Sequence, residues 1–289
     1  MNDSPVRYPL IAAAEQFSSR ILLLDPNRDP LSDQAIVWQW SPMHDWDMDR
    51  DTLRQYVNLS EVKPVSGGTR LLVTASGGAC VMLDLRTGRL EYALAAGGNP
   101  HSAELLPDGN VVTASSKGYL RLFDLKNDPS GKTFTDSYQE SAHGVVLIPG
   151  QDRLFSSGKD GLILWQYDAD RVRLIRQQEF QFNLPDLRFA GHDLVLHPVN
   201  GKLYLTGTSR MLEVDPDSGR AEQVFEIPKI KSISFAPGFP PLVIIPDESW
   251  WTSRLRLLED GTPRELLRIP HFRFYKARWA DVTPPPCIP

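Results

Sequence analysis

Apolar and polar positions follow one another along this chain in short bursts, each closed by Gly, Asp or Asn, a pattern of strands and tight turns. Six runs head the repeats: PLIAAAEQ (9–16), RLLVTASGG (70–78), NVVTASSKG (110–118), RLFSSGKDG (153–161), KLYLTGTS (202–209) and PLVIIPDES (241–249). Each leads within a few residues into a second apolar run with an acidic end: ILLLDPN (21–27), VMLDLRTG (81–88), LRLFDLKND (120–128), ILWQYDAD (163–170), MLEVDPDSG (211–219) and LRLLEDG (255–261). These pairs read as the second and third strands of a repeating unit, because Asp, Asn and Gly supply the backbone conformations that hairpin turns need. No convincing helical stretch is longer than the 47–57 segment.

A first strand can be placed before each pair by a common ruler. A polar residue precedes a proline by six positions at Asn58/Pro64, His101/Pro107, His143/Pro149, His192/Pro198 and Lys231/Pro237. The anchors are 43, 42, 49 and 39 residues apart, the period of propeller blades. The sixth first strand is FYKARWADV (274–282), with Lys276 and Arg278. It has no room for three partners after it, whereas three N-terminal strands (9–16, 20–25, 35–40) lack a first strand. Joining them closes the ring and removes free sheet edges.

The expected fold is therefore an all-β, single-domain β-propeller of six four-stranded blades, closed by one C-terminal and three N-terminal strands. The blades fall at 8–41 plus 272–282, 57–96, 99–140, 142–183, 191–229 and 231–270, with a seventh, degenerate blade at 41–56 as the alternative. Repeated Gly-His with Trp-Asp and a recurring diglycine of the kelch type are missing, which disfavours the commonest scaffold propellers.

Composition narrows the function. With 31 Lys and Arg against 36 Asp and Glu, a net charge of −5 and no basic cluster, the chain is not a general nucleic-acid binder. No run approaches the roughly 18 apolar residues of a membrane span. Residues 1–20 lack a signal-peptide pattern, so the chain reads as soluble, cytoplasmic as given or secreted if a signal has been removed. Cys80 and Cys287 build neither a disulfide framework nor a thiolate zinc site.

The ruler also gathers chemistry. Its anchors converge on the propeller axis, where they form a ring of Asn58, His101, His143, His192, Lys231 and Lys276, with Arg278 two residues on and on the same strand face. Any one histidine at a strand start reads as a residue bonded to a neighbouring backbone. Three of the 6 histidines at one structural position point instead to a site. His101, His143 and His192 are candidates for acid–base catalysis, because imidazole titrates near neutrality, or for holding a divalent metal in the funnel. No HExxH-type motif supports the metal, and the lysines oppose a cation.

Asn58, Lys231, Lys276 and Arg278 are candidates for binding the substrate, the cations holding a carboxylate. Glu15, Gln16, Glu104, Asp193 and Asp247 are candidates for orienting a histidine or a hydroxyl. Trp38 and Trp40 read as core and Trp46 lies near them, while Trp250, in a turn, is the candidate for stacking on a sugar. The expected partner is a small anionic or carbohydrate ligand, and the expected state a monomer.

The blocks AEQFSSRILLLDP (14–26), GGNPHSAELLPDGNVVTASSKG (97–118), AHGV (142–145), GHDL (191–194) and FYKARW (274–279) resemble a family of uncharacterised microbial β-propeller proteins, over nearly the whole chain. His101 with Pro107-Asp108-Gly109, and more loosely His143 and His192, are similar to strand starts of propeller lyases, among them streptogramin lyases and lyases of rhamnosyl-glucuronate or oligogalacturonate. That likeness implies a lyase or glycosidase acting on an acidic or rhamnose-bearing glycan. The alternatives are a non-catalytic binding propeller and a metal-dependent lactonase or antibiotic lyase.

Overall fold

A computed structural model describes residues 6–44, 49–159, 161–182 and 191–282. The alternation read from the sequence becomes six four-stranded antiparallel sheets in a ring. Their inner strands are Phe274–Ala280 for blade 1, then Leu59–Val65, Pro100–Leu105, Gly144–Leu147, Asp193–Leu196 and Ser232–Ala236 for blades 2 to 6. Blade 1 is closed as expected, with the C-terminal strand pairing Leu10–Glu15 from Leu10↔Ala280 to Glu15↔Phe274. The architecture is a six-bladed β-propeller.

Alternate residues of each strand face opposite neighbouring blades, so every blade is apolar on both sides and the core is six seams between blades. Ile21 and Leu23 meet Leu71 and Val73 between blades 1 and 2, and Leu72 and Met82 meet Val111 and Phe123 in the next seam. Tyr204 and Met211 meet Ile233 and Val243 between blades 5 and 6, and Leu242 and Leu257 meet Ile11 and Leu24 at the closure. Trp38 and Trp40 pack half-buried against the first of these seams; Trp46 and Cys287 lie outside the described residues.

The seventh-blade alternative is not realised. Pro42–His44 and Arg50–Arg54 form helical turns between blades 1 and 2, the second capped by the Asp49 carboxylate, which accepts from the amides of Asp51 and Thr52. No helix among the described residues is long and apolar enough to cross a membrane.

Inner strands crowd at the axis. At Gly144 an added Cβ would lie 2.5 Å from the Leu194 Cβ and 2.7 Å from the Ser157 hydroxyl, so only glycine lets blade 4 approach blade 5 there.

Candidate functional site

The pairing registers sort the inner strands into tiers along the axis. The residues opposite Ala14, Thr74, Ala114, Ser157, Thr206 and Ile244 are Lys276, Glu61, Ser102, Gly144, Asp193 and Ser232, a middle tier. One residue earlier stands an upper tier: Tyr275, Ser60, His101, His143, His192 and Lys231. Two residues later comes a lower tier: Arg278, Lys63, Glu104, Val146, Val195 and Ser234. In a regular strand the upper residues would turn away from the middle ones. Register shifts between Leu59 and Glu61, between Pro100 and Ser102, and between Ala14 and Glu15 opposite the C-terminal strand free Ser60, His101 and Tyr275 from that alternation.

This register corrects the expected ring twice. Asn58 is not the counterpart of His101; Ser60 is, and Asn58 matches Asn99, both with positive φ. The ruler slipped because Pro64 lies inside its strand, opposite Leu71, whereas Pro107 follows its own. A proline is tolerated there since an innermost strand has a free edge. Likewise Tyr275, not Lys276, is the upper-tier residue of blade 1.

The three histidines do meet. His101 and His143 stack with ring centroids 4.6 Å apart and planes 9° from parallel, and His192 stands edge-on to His143 at 5.8 Å. His143 donates from Nδ1 to the Ser141 carbonyl at 2.8 Å, which leaves its Nε2 lone pair free. The Tyr275 hydroxyl and His101 Nδ1 share a hydrogen bond of 3.2 Å. Lys231 Nζ donates to His192 Nε2 at 3.0 Å.

Burial first, then the Lys231 ammonium, depresses His192 to about 3; burial holds His143 near 4 and, with His143 beside it, puts His101 well below the usual imidazole range. All three are neutral at physiological pH. Burial and the charge of Lys276 bring Lys231 down to about 8, and burial raises the Tyr275 phenol.

Parallel stacked imidazoles aim their in-plane lone pairs side by side, not at a shared point. Among the described residues no group of three His, Cys, Asp or Glu side chains is arranged to hold a metal ion. The residues present therefore do not fit the divalent ion considered from the sequence.

Lys276 and Arg278 receive a different role from the one expected. Lys276 is fully buried and donates to Glu61 at 3.1 Å, to Asp193 at 3.0 Å and to the His101 carbonyl at 2.9 Å. Arg278 donates to both Glu61 oxygens at 2.8 Å, to both oxygens of Asp193 and to the Ile233 carbonyl. Burial would push both carboxyls up, but the adjacent cations outweigh it and hold Glu61 and Asp193 below their ordinary range. Two cations and two anions satisfy one another across the axis, so these cations have no donors left for a substrate carboxylate.

Above this plug opens a cavity of about 280 Å³, whose wall includes Asn58, Asn99, His101, Lys231, Trp250 and Tyr275. Trp250 is 49% exposed and donates from its indole to the Gln16 side chain at 3.0 Å, so its ring is held in place with a face open. Lys231 has no carboxylate partner among the described residues. Below the plug lies a lower cavity of about 300 Å³, lined by the whole lower tier, including the Lys63–Glu104 pair at 2.7 Å, and by Leu194 and Trp279.

The expected orienting residues are dispersed. Asp193 is in the plug, Glu104 in the lower cavity, and Glu15 caps its own turn by accepting from Phe17 and Ser18. Asp247 accepts from Thr252 and Arg256, away from the ring. Sequence reasoning missed Glu61, Tyr275 and Asn99. A signal for Glu61 was present: a charged residue on an inner strand with Lys63 two positions later, matching the i, i+2 spacing of Lys276 and Arg278.

A family model described as a family of unknown function (DUF6528) matches residues 5–283. No curated protein matches the chain. Among solved structures it is similar in fold to hydrazine synthase of Kuenenia stuttgartiensis, at 13% identity and a TM-score of 0.51, over 72% of this chain and 65% of that one. At that identity the likeness speaks to the fold alone.

Proposed function

The chain belongs to this family of unknown function, so its activity has to be read from the funnel, and we propose that it binds a small uronate-class anion there and acts on it as a lyase. The observation that carries this reading is Lys231, an ammonium on a cavity wall with no carboxylate among the described residues to neutralise it, beside groups that are otherwise neutral donors and acceptors. A cation held in that state is satisfied by an anionic ligand. Asn58 and Asn99 offer hydrogen bonds to hydroxyls, and the open face of Trp250 offers a surface for a sugar ring.

The chemistry follows from the neighbours. Beside a carboxylate held by Lys231, neutral His101 takes the proton from the adjacent carbon. The carbon–oxygen bond one atom further on breaks, a carbon–carbon double bond forms, and Tyr275, kept protonated by burial, gives its proton to the departing oxygen. The hydrogen bond between His101 and Tyr275 returns the proton to the phenol, and no redox partner is needed.

Calorimetric titration with glucuronate tests the reading. Binding is expected for the wild type, none for glucose, and a loss of about tenfold or more for Lys231→Met, in line with a charge-assisted contact. Turnover of a polymeric uronide is read as the absorbance of an unsaturated product. His101→Gln is expected to keep binding and lose turnover. Unchanged glucuronate affinity in Lys231→Met would overturn the proposal.

A further inference from the structure

A second cavity, of about 360 Å³, lies on the same rim of the propeller between blades 6 and 1. Its lining includes Phe17, Glu248, Trp251, Arg268, His271, Phe272 and Arg273. The two cavities share a wall built from two pairs of consecutive residues. Gln16 and Trp250 line the funnel, and their chain neighbours Phe17 and Trp251 line the second cavity.

That wall is fixed by the indole–Gln16 hydrogen bond of 3.0 Å, by Gln16 donating to the Leu59 carbonyl at 2.9 Å, and by the Gln16 amide donating to the Arg273 carbonyl at 2.9 Å.

The second cavity has its own uncompensated cations. The Arg273 guanidinium lies over the ring of Phe17 at 5.1 Å and over that of Trp251 at 4.7 Å. Aromatic rings over its faces orient the group while leaving its edge N–H donors directed outward. Among the described residues neither Arg273 nor Arg268 has a carboxylate partner, whereas Arg254 and Arg256, nearby in the same blade, both pair with Asp247. Among the described residues that line it, Glu248 is the one acid.

We infer that the funnel and this cavity are adjoining subsites for one linear chain with carboxylates on neighbouring units, the first taken by Lys231 and the next by Arg273 with Arg268. The inference rests on the funnel reading above and deepens it: the ligand is an oligomer, not a single acidic sugar. A guanidinium held edge-on suits a carboxylate, which it binds through two parallel hydrogen bonds.

The test is a length series of uronides, monomer to trimer, titrated by calorimetry against the full chain. The trimer is expected to bind about tenfold or more tightly than the monomer, the size of one added charge-assisted contact. Arg273→Gln is expected to lower the trimer to the monomer's affinity while leaving the monomer unchanged. Exposed Arg268→Gln, which leaves the contacts of Arg273 with Phe17 and Trp251 intact, is expected to remove part of the gain, so the inference stays testable if the Arg273 variant fails to fold. Monomer binding with no gain on lengthening, or an equal gain for a neutral trisaccharide, overturns the second subsite and leaves the funnel reading standing. Absence of binding at every length overturns both.

Discussion

His101 and Ser102, His192 and Asp193, Tyr275 and Lys276 are consecutive residues, yet each pair is divided between two regions that handle charge in opposite ways. The middle tier and Arg278 are buried, and their two cations and two anions cancel through direct hydrogen bonds. The three histidines and Lys231 of the upper tier are half-buried, the imidazoles are neutral, and the single ammonium has no counter-charge among the described residues. A buried ionic group that is fully paired belongs to the structure; one left unpaired at a cavity wall is available to a ligand. Residue type alone would have grouped Lys276 with Lys231; burial and partners separate them.

The sharpest way to break this contrast is to remove one member from each region. Arg278→Met leaves Glu61 and Asp193 buried with Lys276 as their only shared cation, and is expected to cost about 3–5 kcal/mol, the usual penalty of an orphaned buried charge. Denaturant unfolding measures it. Replacing all four, as Glu61→Gln, Asp193→Asn, Lys276→Met and Arg278→Met together, is expected to recover most of that loss, since no charge is then left behind. Lys231→Met, which takes away a charge that is already unpaired, is expected to leave stability unchanged or higher. A loss as large as that of Arg278→Met would show that the upper tier is structural too.

How far the sequence carried this contrast follows from distance along the chain. The blades were legible because each apolar run and its acidic turn lie within about 20 residues, a local code for hairpins. The histidines were legible because three blades repeat the same spacing to proline. The plug was not, because Lys276 and Glu61 are 215 residues apart, Arg278 and Asp193 are 85 apart, and only ring closure makes them neighbours. The place of Asn58 failed for a different reason: a proline inside a strand resembles a proline after one until pairing is known.

The two regions also titrate in different windows. Each histidine has a folded value below its ordinary 6.5, so the unfolded chain binds more protons between the two values. Their contribution is therefore complete above pH 6.5 and is lost as pH falls toward about 4 for His143 and about 3 for His192. Glu61 and Asp193 are also depressed, from 4.5 and 3.8, so their contribution is present above those values and is lost only below them. Melting temperature is expected to fall in two stages on acidification. His101→Gln, His143→Gln and His192→Gln together are expected to flatten the first stage and spare the second, apart from the slope left by His197, whose value is also lowered by burial, and the His143→Gln/His192→Gln double variant to flatten it in part. A single transition that the double variant does not alter would mean that the tiers are not electrostatically distinct.

The smallest expected effect, and the most specific to the upper tier, lies on the alkaline side. Lys231 faces His192, and the charges of Lys276 and Lys229 add to the burial that brings it from 10.5 to about 8. Its ammonium therefore loses its proton as pH rises through 8, well before an ordinary lysine does. If this ammonium is what holds the ligand, glucuronate affinity is level below pH 8 and falls above it by up to about tenfold per pH unit, because only the protonated form attracts an anion. Lys231→Arg keeps its charge throughout this range and is expected to give a level profile. Titrations of the two proteins at pH 7, 8 and 9 therefore decide whether the Lys231 ammonium holds the anion.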